Sequence, residues 1–373
     1  MVIGRAIIRK VEQEIRFCKS RDGVRIAYAL AGSGPPLVKA PNHLNHLEFD
    51  WRSPVWSHFF EHLAQHNRLV RFDERGMGLS DRHVENWSID LCIDDLEAVV
   101  DAAGLERFSL LGLSQGGPFA IGYAVRHPER VKRLVLLNTF ARVKPRVPSQ
   151  AWLDETAALH TLMRVGWGRD DPHYRQIFTQ MYIPDATLEQ MRWFNELQRV
   201  SASPENAARQ FRETLEINVL DLCAQVTVPT LVMHSTKDGM VPFQRGLELA
   251  GAIPGARFVP LESASHLLLP DEPAWPIFRE EMGRFLKEDP DGARANAAGA
   301  VRDLQGAHLS LLSSRERQVL GLVALGLTNP AIAEALVISP ATAARHVHNI
   351  LTKLALSNRT ELAAWAIARN AGL

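Results

Sequence analysis

The feature of this 373-residue sequence that most restricts its fold is a serine set between glycines, the G-x-S-x-G pattern at Gly112–Gly116. An apolar run, Phe108–Leu113, leads into the pattern, and a helical segment beginning near Pro118 follows it. In a strand–turn–helix of this kind the glycines allow a sharp turn, so that the serine hydroxyl projects at the carboxyl edge of a sheet. The pattern therefore predicts an α/β sheet with Ser114 as a candidate nucleophile.

Two further polar groups follow strand-like runs later in the chain. Asp238 comes after the run Thr230–His234, and His266 comes after the run Arg257–Pro260. The carboxyl ends of parallel strands meet at one edge of a sheet, so both groups are expected beside Ser114. A serine hydroxyl needs a base to remove its proton, and the base needs an orienting carboxylate. The order Ser114, Asp238, His266 thus predicts a catalytic triad.

Short apolar runs alternate with helical periodicity over the first 287 residues, which predicts a mostly parallel sheet with right-handed crossovers. An Asp-Gly pair at Asp22-Gly23 predicts a hairpin at the start of the sheet. The predicted strands are Ile15–Lys19, Val24–Leu30, Leu37–Ala40, Leu69–Phe72, Phe108–Leu113, Leu134–Leu137, Thr230–His234 and Arg257–Pro260.

One interval breaks this alternation. About 80 residues between the predicted strands Leu134–Leu137 and Thr230–His234, roughly 141–218, have helical periodicity and many large apolar side chains. They predict a helical cap over the strand ends, in which most of these side chains form the cap's own core and the rest line a ligand pocket. The candidates for the pocket are Trp152, Trp167, Met181 and Trp193.

Residues 309–373 predict four short helices after an Ala- and Gly-rich linker at 288–308. Ser313 and Glu316 have the spacing of a capping box, and Ser339-Pro340 is a typical helix start. Two helices joined by a three-residue turn predict a helix-turn-helix at about 329–348.

The third of these helices has one apolar and one polar side. Ala343, Val347, Ile350 and Leu354 recur at helical spacing and predict a buried stripe. The opposite side contains no acidic residue and consists of Thr342, Arg345, His346, Asn349 and Lys353. Residues 305–373 hold six Lys and Arg against three Glu, a local charge of +3 in a chain of zero net charge. A solvated basic face is the simpler explanation, but the helix-turn-helix setting favours contact with DNA.

Composition limits the remaining possibilities. With 46% hydrophobic and 23% charged residues the chain has enough apolar side chains for a full core, which excludes wholesale disorder. The three cysteines lie far apart in the sequence, which argues against a disulfide scaffold or a structural zinc site and favours a reducing cytoplasm. No apolar run reaches the ~18 residues of a membrane span. We expect no metal and no cofactor.

Residues of about 15–287 resemble the α/β-hydrolase family, through the serine turn and through the stretch Phe72–Asp81. The resemblance implies that Ser114 is the nucleophile, His266 the general base and Asp238 its orienting carboxylate. It also implies that the backbone N–H of Gln115 forms half of an oxyanion hole.

The chain departs from this family at the loop expected to supply the other half. Family members usually carry His-Gly after the third strand, whereas Pro41-Asn42 stands here, so the second donor would be the N–H of His43. Asn tolerates a left-handed backbone better than most residues, though less freely than Gly. One such donor is worth roughly 2.7–4 kcal/mol of activation free energy, so turnover is expected to be slow if the donor is misplaced.

The C-terminal segment is similar to the LuxR-type DNA-binding domain along its whole length. The resemblance implies that Ala341–Leu354 enters the major groove, with the five polar residues above contacting bases and phosphates. It also implies a homodimer on a two-fold DNA site, joined through a final helix at Thr360–Arg369. The residues that carry it are Leu312-Ser313, Arg315-Glu316, Gly326–Asn329, Ile332-Ala333, Ser339, Thr342, His346, Ile350 and Lys353-Leu354.

Three functions remain open. The chain is a transcription regulator whose hydrolase-like domain binds, and in one version hydrolyses, a small ester or lactone with an apolar part. Alternatively, it is a serine hydrolase with an accessory DNA-binding module, or a regulator whose hydrolase fold is inert. The predicted architecture is the same in each case: an α/β-hydrolase fold with a helical cap, then an all-α four-helix helix-turn-helix domain.

Overall fold

The computed structural model describes residues 11–145, 147–288, 312–354 and 359–368. Its eight strands form a single sheet in the order β1-β2-β4-β3-β5-β6-β7-β8. Strands β1, β2 and β4 pair antiparallel, and the pairs from β4 through β3 to β8 are all parallel. The strands are β1 (Gln13–Lys19), β2 (Arg25–Ala31), β3 (Pro36–Lys39), β4 (Arg68–Phe72), β5 (Phe108–Leu113), β6 (Val131–Leu137), β7 (Thr230–Ser235) and β8 (Arg257–Leu261).

Helices cover both faces of the sheet, which is why its inner strands are mostly apolar. In chain order the helices are α1 (Leu47–Trp51), α2 (Ser57–His66), α3 (Ile89–Ala102), α4 (Gly116–Arg126), α5 (Gln150–Gly166), α6 (His173–Tyr182), α7 (Leu188–Ser201), α8 (Pro204–Leu215), α9 (Leu220–Cys223), α10 (Phe243–Ala252), α11 (Ala274–Lys287), α12 (Ser314–Ala324), α13 (Asn329–Leu336), α14 (Pro340–Leu354) and α15 (Arg359–Ala368). Helices α3, α4, α9 and α10 pack on one face, and α2 and α11 pack on the other.

All eight predicted strands are present, with ends that differ by at most three residues from the prediction. The Asp-Gly turn joins β1 to β2, and Gly23 has the left-handed φ of 90° that such a turn uses. The interval predicted as a cap consists of α5 to α8, which lie between β6 and β7. Side chains of Ser149, Thr187 and Ser203 cap three of these helices. The predicted linker at 288–308 lies outside the described residues except for Glu288.

The C-terminal helices form a four-helix unit whose buried apolar side chains are continuous with the core on one face of the sheet. Ser313 and Glu316 make both hydrogen bonds of the predicted capping box at the start of α12. Helices α13 and α14 form the helix-turn-helix, and α15 closes the unit by packing on α12. Ala343, Val347 and Ile350 are buried, which confirms three positions of the predicted apolar stripe of α14. The side chain of the fourth, Leu354, lies outside what the structure describes.

The helical unit also contacts the sheet. Helix α15 packs against α10 and β8 as well as against α12. Gly326, in the turn between α12 and α13, lies so close to Gln244 of α10 that a Cβ atom would fall 2.4 Å from its side-chain oxygen. The last strand of the sheet and its neighbouring helix therefore form a docking surface for the C-terminal helices. Within the described residues, no helix is long and apolar enough to cross a membrane.

The turn of the helix-turn-helix contains a strained residue. Val337 has a left-handed φ of 53° and a side chain that is 91% exposed. Left-handed backbone is unfavourable for β-branched residues by roughly 1–2 kcal/mol, and the exposed isopropyl group gains no packing in return.

We expect Val337→Asn to raise the free energy of unfolding by about 1 kcal/mol, because Asn tolerates this backbone and is polar. Urea unfolding of the full chain, followed by circular dichroism, measures the change. Val337→Ala serves as the matched control, since it retains a Cβ atom and should gain less. A lower stability for the Asn variant would contradict the assignment of strain to this turn.

Candidate active site and DNA-binding face

Ser114 lies on a sharp turn between β5 and α4, as the glycine pattern predicts. Its φ is 51°, a left-handed conformation, and its N–H donates to the carbonyl of Leu137 at 3.1 Å. Non-glycine residues adopt this conformation only where the surroundings hold them in it. Here Thr139 at the end of β6 contributes by donating its hydroxyl hydrogen to the Ser114 carbonyl.

Two glycines next to Ser114 are required because neighbouring chain segments approach too closely for a side chain. A Cβ on Gly116 would lie 2.5 Å from the carbonyl oxygen of Pro41, and one on Gly117 would lie 2.0 Å from Thr139 Oγ1. The first contact places the loop after β3 directly against the start of α4. The glycine pattern therefore fixes both the serine and the loop predicted to complete the oxyanion hole.

Asp238 and His266 form a buried hydrogen-bonded pair. His266 Nδ1 lies 2.7 Å from Asp238 Oδ2, and Asp238 Oδ1 accepts from the N–H groups of Met240 and Val241 at 2.8 and 2.9 Å. A carboxylate accepts from the protonated ring nitrogen, so the geometry selects the tautomer with the proton on Nδ1 and a lone pair on Nε2. His266 Nε2 is buried and has no hydrogen-bond partner within the described part of the chain.

Asn138, which the sequence analysis did not single out, joins the loops that carry the acid and the base. Its amide donates to the carbonyl of His266 at 2.7 Å, and its Oδ1 accepts from the N–H of Ser235 at 2.7 Å. The N–H of His266 donates to the carbonyl of Tyr182 in the cap at 2.8 Å. A lone Asn after a strand is no distinctive signal, because its partners are about 100 residues away.

The loop after β3 is stiffened by side chains. Lys39 Nζ donates to Asn42 Oδ1 at 2.5 Å, and Asn42 Nδ2 donates to the carbonyl of His43 at 2.9 Å. Burial lowers the pKa of Lys39 to about 7. The left-handed residue of the loop is Leu44, with φ of 64°, rather than Asn42. Asn42 therefore contributes through the hydrogen bonds of its side-chain amide, and not through the left-handed backbone that the sequence suggested for it.

A cavity of about 290 Å³ opens over Ser114. Gln115 and His43 border it, and most of its other walls are apolar side chains from the cap and from the loops after β6 and β7. These walls include Phe140, Trp152, Leu159, Met181, Tyr182, Phe211, Leu215, Met240 and Val241.

The four predicted pocket residues divide into two pairs. Trp152 and Met181 border the cavity, whereas Trp167 and Trp193 do not, which corrects the prediction for these two. Trp167 is buried in the cap with its ring centroid 6.2 Å from that of His43. Trp193 packs against Phe49 with ring centroids 4.6 Å apart. Trp167 thus contacts the loop after β3, and Trp193 contacts α1.

The predicted DNA-binding residues lie together on α14. Arg345 and Asn349 are exposed, and Thr342 and His346 are half-buried. The Ser339 hydroxyl caps the helix by accepting from the N–H of Thr342 at 3.1 Å. One end of α14 is therefore anchored while its polar side remains open.

Lys353 is the exception. Its Nζ forms an ion pair of 2.7 Å with Glu316, a carboxylate whose side chain is only 5% exposed and which belongs to the capping box of α12. Removing the lysine leaves a buried carboxylate without its cation, which is costly. The structure thus gives Lys353 a role inside the domain that the sequence did not suggest, since its partner lies 37 positions earlier.

Comparison with known proteins agrees with this geometry. A sequence profile of the alpha/beta hydrolase fold matches residues 50–273, more than half of the chain, and the chain therefore belongs to the α/β-hydrolase fold family. A profile described as bacterial regulatory proteins of the luxR family matches residues 310–366. The chain thus combines a hydrolase-fold domain with a LuxR-type DNA-binding domain.

Several relatives of the first domain are hydrolases by name, and one, 34% identical over 161 residues (40% of this chain and 47% of that protein), is a cis-3-alkyl-4-alkyloxetan-2-one decarboxylase of Shewanella oneidensis. The AB hydrolase superfamily protein YisY of Bacillus subtilis is 26% identical over 253 residues, 67% of this chain and 91% of that protein. The pyrrolizixenacetamide deacetylase of Xenorhabdus hominickii is 25% identical over 258 residues, 66% of this chain and 91% of that protein. A hydrolase of Pseudomonas aeruginosa and an esterase of Exiguobacterium antarcticum have solved structures at a TM-score of 0.61 and 25% identity. The aligned regions span 74% of this chain for the first structure and 73% for the second, and 99% of each of those two proteins.

We expect Arg345→Ala to weaken DNA binding and to reduce the magnitude of the salt slope by about one unit, because an exposed cation on α14 is lost. Gel shifts over a salt series, with a duplex selected in vitro from a random pool, measure both quantities. Arg192→Ala on α7 is the matched control and should bind like the wild type. An unchanged affinity and slope for Arg345→Ala would show that another face contacts DNA.

Proposed function

We propose that this protein is a cytoplasmic transcription regulator whose hydrolase domain binds a small ester or lactone and thereby controls binding of DNA. The observation that carries the proposal is the position of α10. Arg245 of this helix and Pro242 at its start border the cavity over Ser114, and the same helix packs against α15 of the DNA-binding domain. One helix therefore touches both the ligand cavity and the regulator domain.

The site also supports hydrolysis of the ligand. Ser114 Oγ attacks the carbonyl carbon of the ligand while His266 Nε2 takes the Ser114 hydroxyl proton. His266 then gives this proton to the departing alkoxide oxygen. The resulting acyl-serine is attacked by a water whose proton passes to His266, which returns it to Ser114 as the acid is released. The N–H groups of Gln115 and His43 stabilise the oxyanion in both steps. An ester or lactone supplies the carbonyl and the leaving oxygen.

Purified protein should release p-nitrophenol from p-nitrophenyl butyrate, and Ser114→Ala should lower kcat by about 10³-fold or more. Asp238→Asn should also lower kcat strongly, because the amide favours the wrong tautomer of His266. Absorbance at the p-nitrophenolate band measures the rate. Equal rates for wild type and Ser114→Ala would contradict catalysis and leave the domain as a receptor only.

We further propose that two copies bind a two-fold DNA site. The similarity of the C-terminal helices to the luxR family supports this arrangement. In the structure, the surface of α15 is partly covered by α10 and β8. Pairing of two α15 helices would then compete with docking on the hydrolase domain, so a ligand that alters α10 would alter assembly on DNA.

Occupation of the cavity should change DNA affinity by about fivefold or more, the usual range for coupling between sites. Diethyl p-nitrophenyl phosphate provides a defined occupant, since Ser114 Oγ displaces p-nitrophenolate and keeps the diethylphosphoryl group. Gel shifts of labelled and unlabelled protein with the selected duplex measure the effect. Ser114→Ala treated in the same way is the control for reaction elsewhere.

A second variant tests whether the contact between α10 and the C-terminal helices transmits the effect of the ligand. Gln244→Arg adds bulk and charge beside Gly326 at the docking surface, so it should reduce the effect of labelling on DNA affinity. Gln150→Arg on the exposed side of α5 is its matched control. Identical DNA affinity of labelled and unlabelled wild type would contradict ligand control and favour a hydrolase with an accessory DNA-binding module.

A further inference from the structure

Two residues that border the cavity carry buried polar side-chain atoms that have no hydrogen-bond partner among the described residues. His43 Nε2 and both amide atoms of Gln115 are buried and have no hydrogen-bond partner among the residues that the structure describes. His43 is 7% exposed and Gln115 is 1% exposed, and both border the same cavity as Ser114. Buried polar groups in native proteins nearly always have a partner, so these groups point to a missing one.

The protonation of His43 follows from its contact with the cap. His43 Nδ1 lies 2.7 Å from the side-chain oxygen of Gln210 on α8, and a carbonyl oxygen only accepts, so Nδ1 carries the proton. Burial raises the pKa of the nearby Glu74 to about 7, while hydrogen bonds from Trp87 and Gln210 act in the opposite direction. The Gln210 side-chain oxygen is the atom that faces His43 Nδ1.

The charge state of His43 is equally defined. Burial lowers its pKa to about 4, although the hydrogen bond to Gln210 acts in the opposite direction. The ring is therefore neutral at neutral pH, and its unpartnered Nε2 carries a lone pair. It offers one hydrogen-bond acceptor and no donor. A ligand group next to it must bring an N–H or O–H.

Gln115 stands next to the nucleophile in the chain and at the start of α4. Its backbone N–H serves the oxyanion, but its side-chain amide has no role in that chemistry. The amide provides an acceptor through Oε1 and two donors through Nε2. Together with His43 it can satisfy a hydroxyl, which both donates and accepts, or an amide N–H.

We propose that His43 and Gln115 form a polar subsite for a hydroxyl or amide N–H carried by the ligand next to the carbonyl that Ser114 attacks. The apolar walls formed by Phe140, Leu159 and Met240 take the remainder of the acyl group. The inference rests on the proposed function and specifies its ligand. The substrate class is an ester or lactone whose acyl part has a hydrogen-bond donor near the carbonyl and an apolar chain beyond it.

The test compares three esters that differ at one position: p-nitrophenyl hexanoate, 3-hydroxyhexanoate and 3-methoxyhexanoate. Titration calorimetry with the full-length Ser114→Ala protein measures their affinities without hydrolysis. The hydroxy ester should bind about fivefold to tenfold more tightly than the other two, because it alone brings a donor to a buried acceptor. Adding Gln115→Leu or His43→Leu should remove this preference.

Two further variants separate the hydrogen-bonding role of His43 from a change in the shape of the cavity. Gln210→Leu retains His43 but removes the acceptor that keeps the His43 proton on Nδ1. It should therefore also reduce the preference for the hydroxy ester. Met240→Leu changes an apolar wall and should alter the affinities of the three esters by similar factors. Circular dichroism confirms the fold of each variant.

Equal affinity for the three esters, or binding of none, would overturn the subsite. A preference for the hydroxy ester that survives both Gln115→Leu and His43→Leu would also overturn it. Failure of the wild type to release p-nitrophenol is a separate result. It would remove hydrolysis from the proposed function, whereas a retained binding preference in Ser114→Ala would still support the subsite.

Discussion

The left-handed turn at Ser114 is the constraint on which the site depends. Three contacts hold this turn so that the hydroxyl points out of the sheet. The Ser114 N–H donates to the carbonyl of Leu137, Gly116 at the start of α4 lies against Pro41, and the Thr139 hydroxyl donates to the Ser114 carbonyl. The approaches of Pro41 and Thr139 are possible only because Gly116 and Gly117 carry no side chain. The loops after β7 and β8 then bring Asp238 and His266 to the same edge, because β6, β7 and β8 run parallel.

The sequence predicted most of this arrangement, since strands, turn glycines and helix caps are local patterns. The strands and the capping box at Ser313 were found where local patterns placed them. The contacts that it missed are long-range. Asn138 reaches a loop 128 positions away, and Lys353 reaches back to Glu316. No local pattern distinguishes an amide or a cation that has such a partner from one that faces solvent.

The cap shows the same limit in another form. An amphipathic helix has an apolar side, but its sequence does not tell whether that side faces a cavity or a neighbouring helix. Trp152 borders the cavity, whereas Trp167 packs against Phe178 and His43, and Trp193 packs against Phe49 of α1. In the loop after β3, the sequence located the departure from the family at Asn42. It did not reveal that Lys39 and the amide of Asn42 hold the loop together.

Helix α10 has a position that bears on how such a protein changes over generations. Its start borders the cavity, and the same helix packs against α15. A substitution on α10 that admits a new ligand therefore also alters the surface on which the DNA-binding domain rests. Under the proposed function, the range of ligands and the control of DNA binding are linked through one segment of ten residues, Phe243–Ala252. A lineage that changes α10 to take a new ligand then changes the contact with α15 as well, whereas the exposed polar residues of α14 can diverge independently.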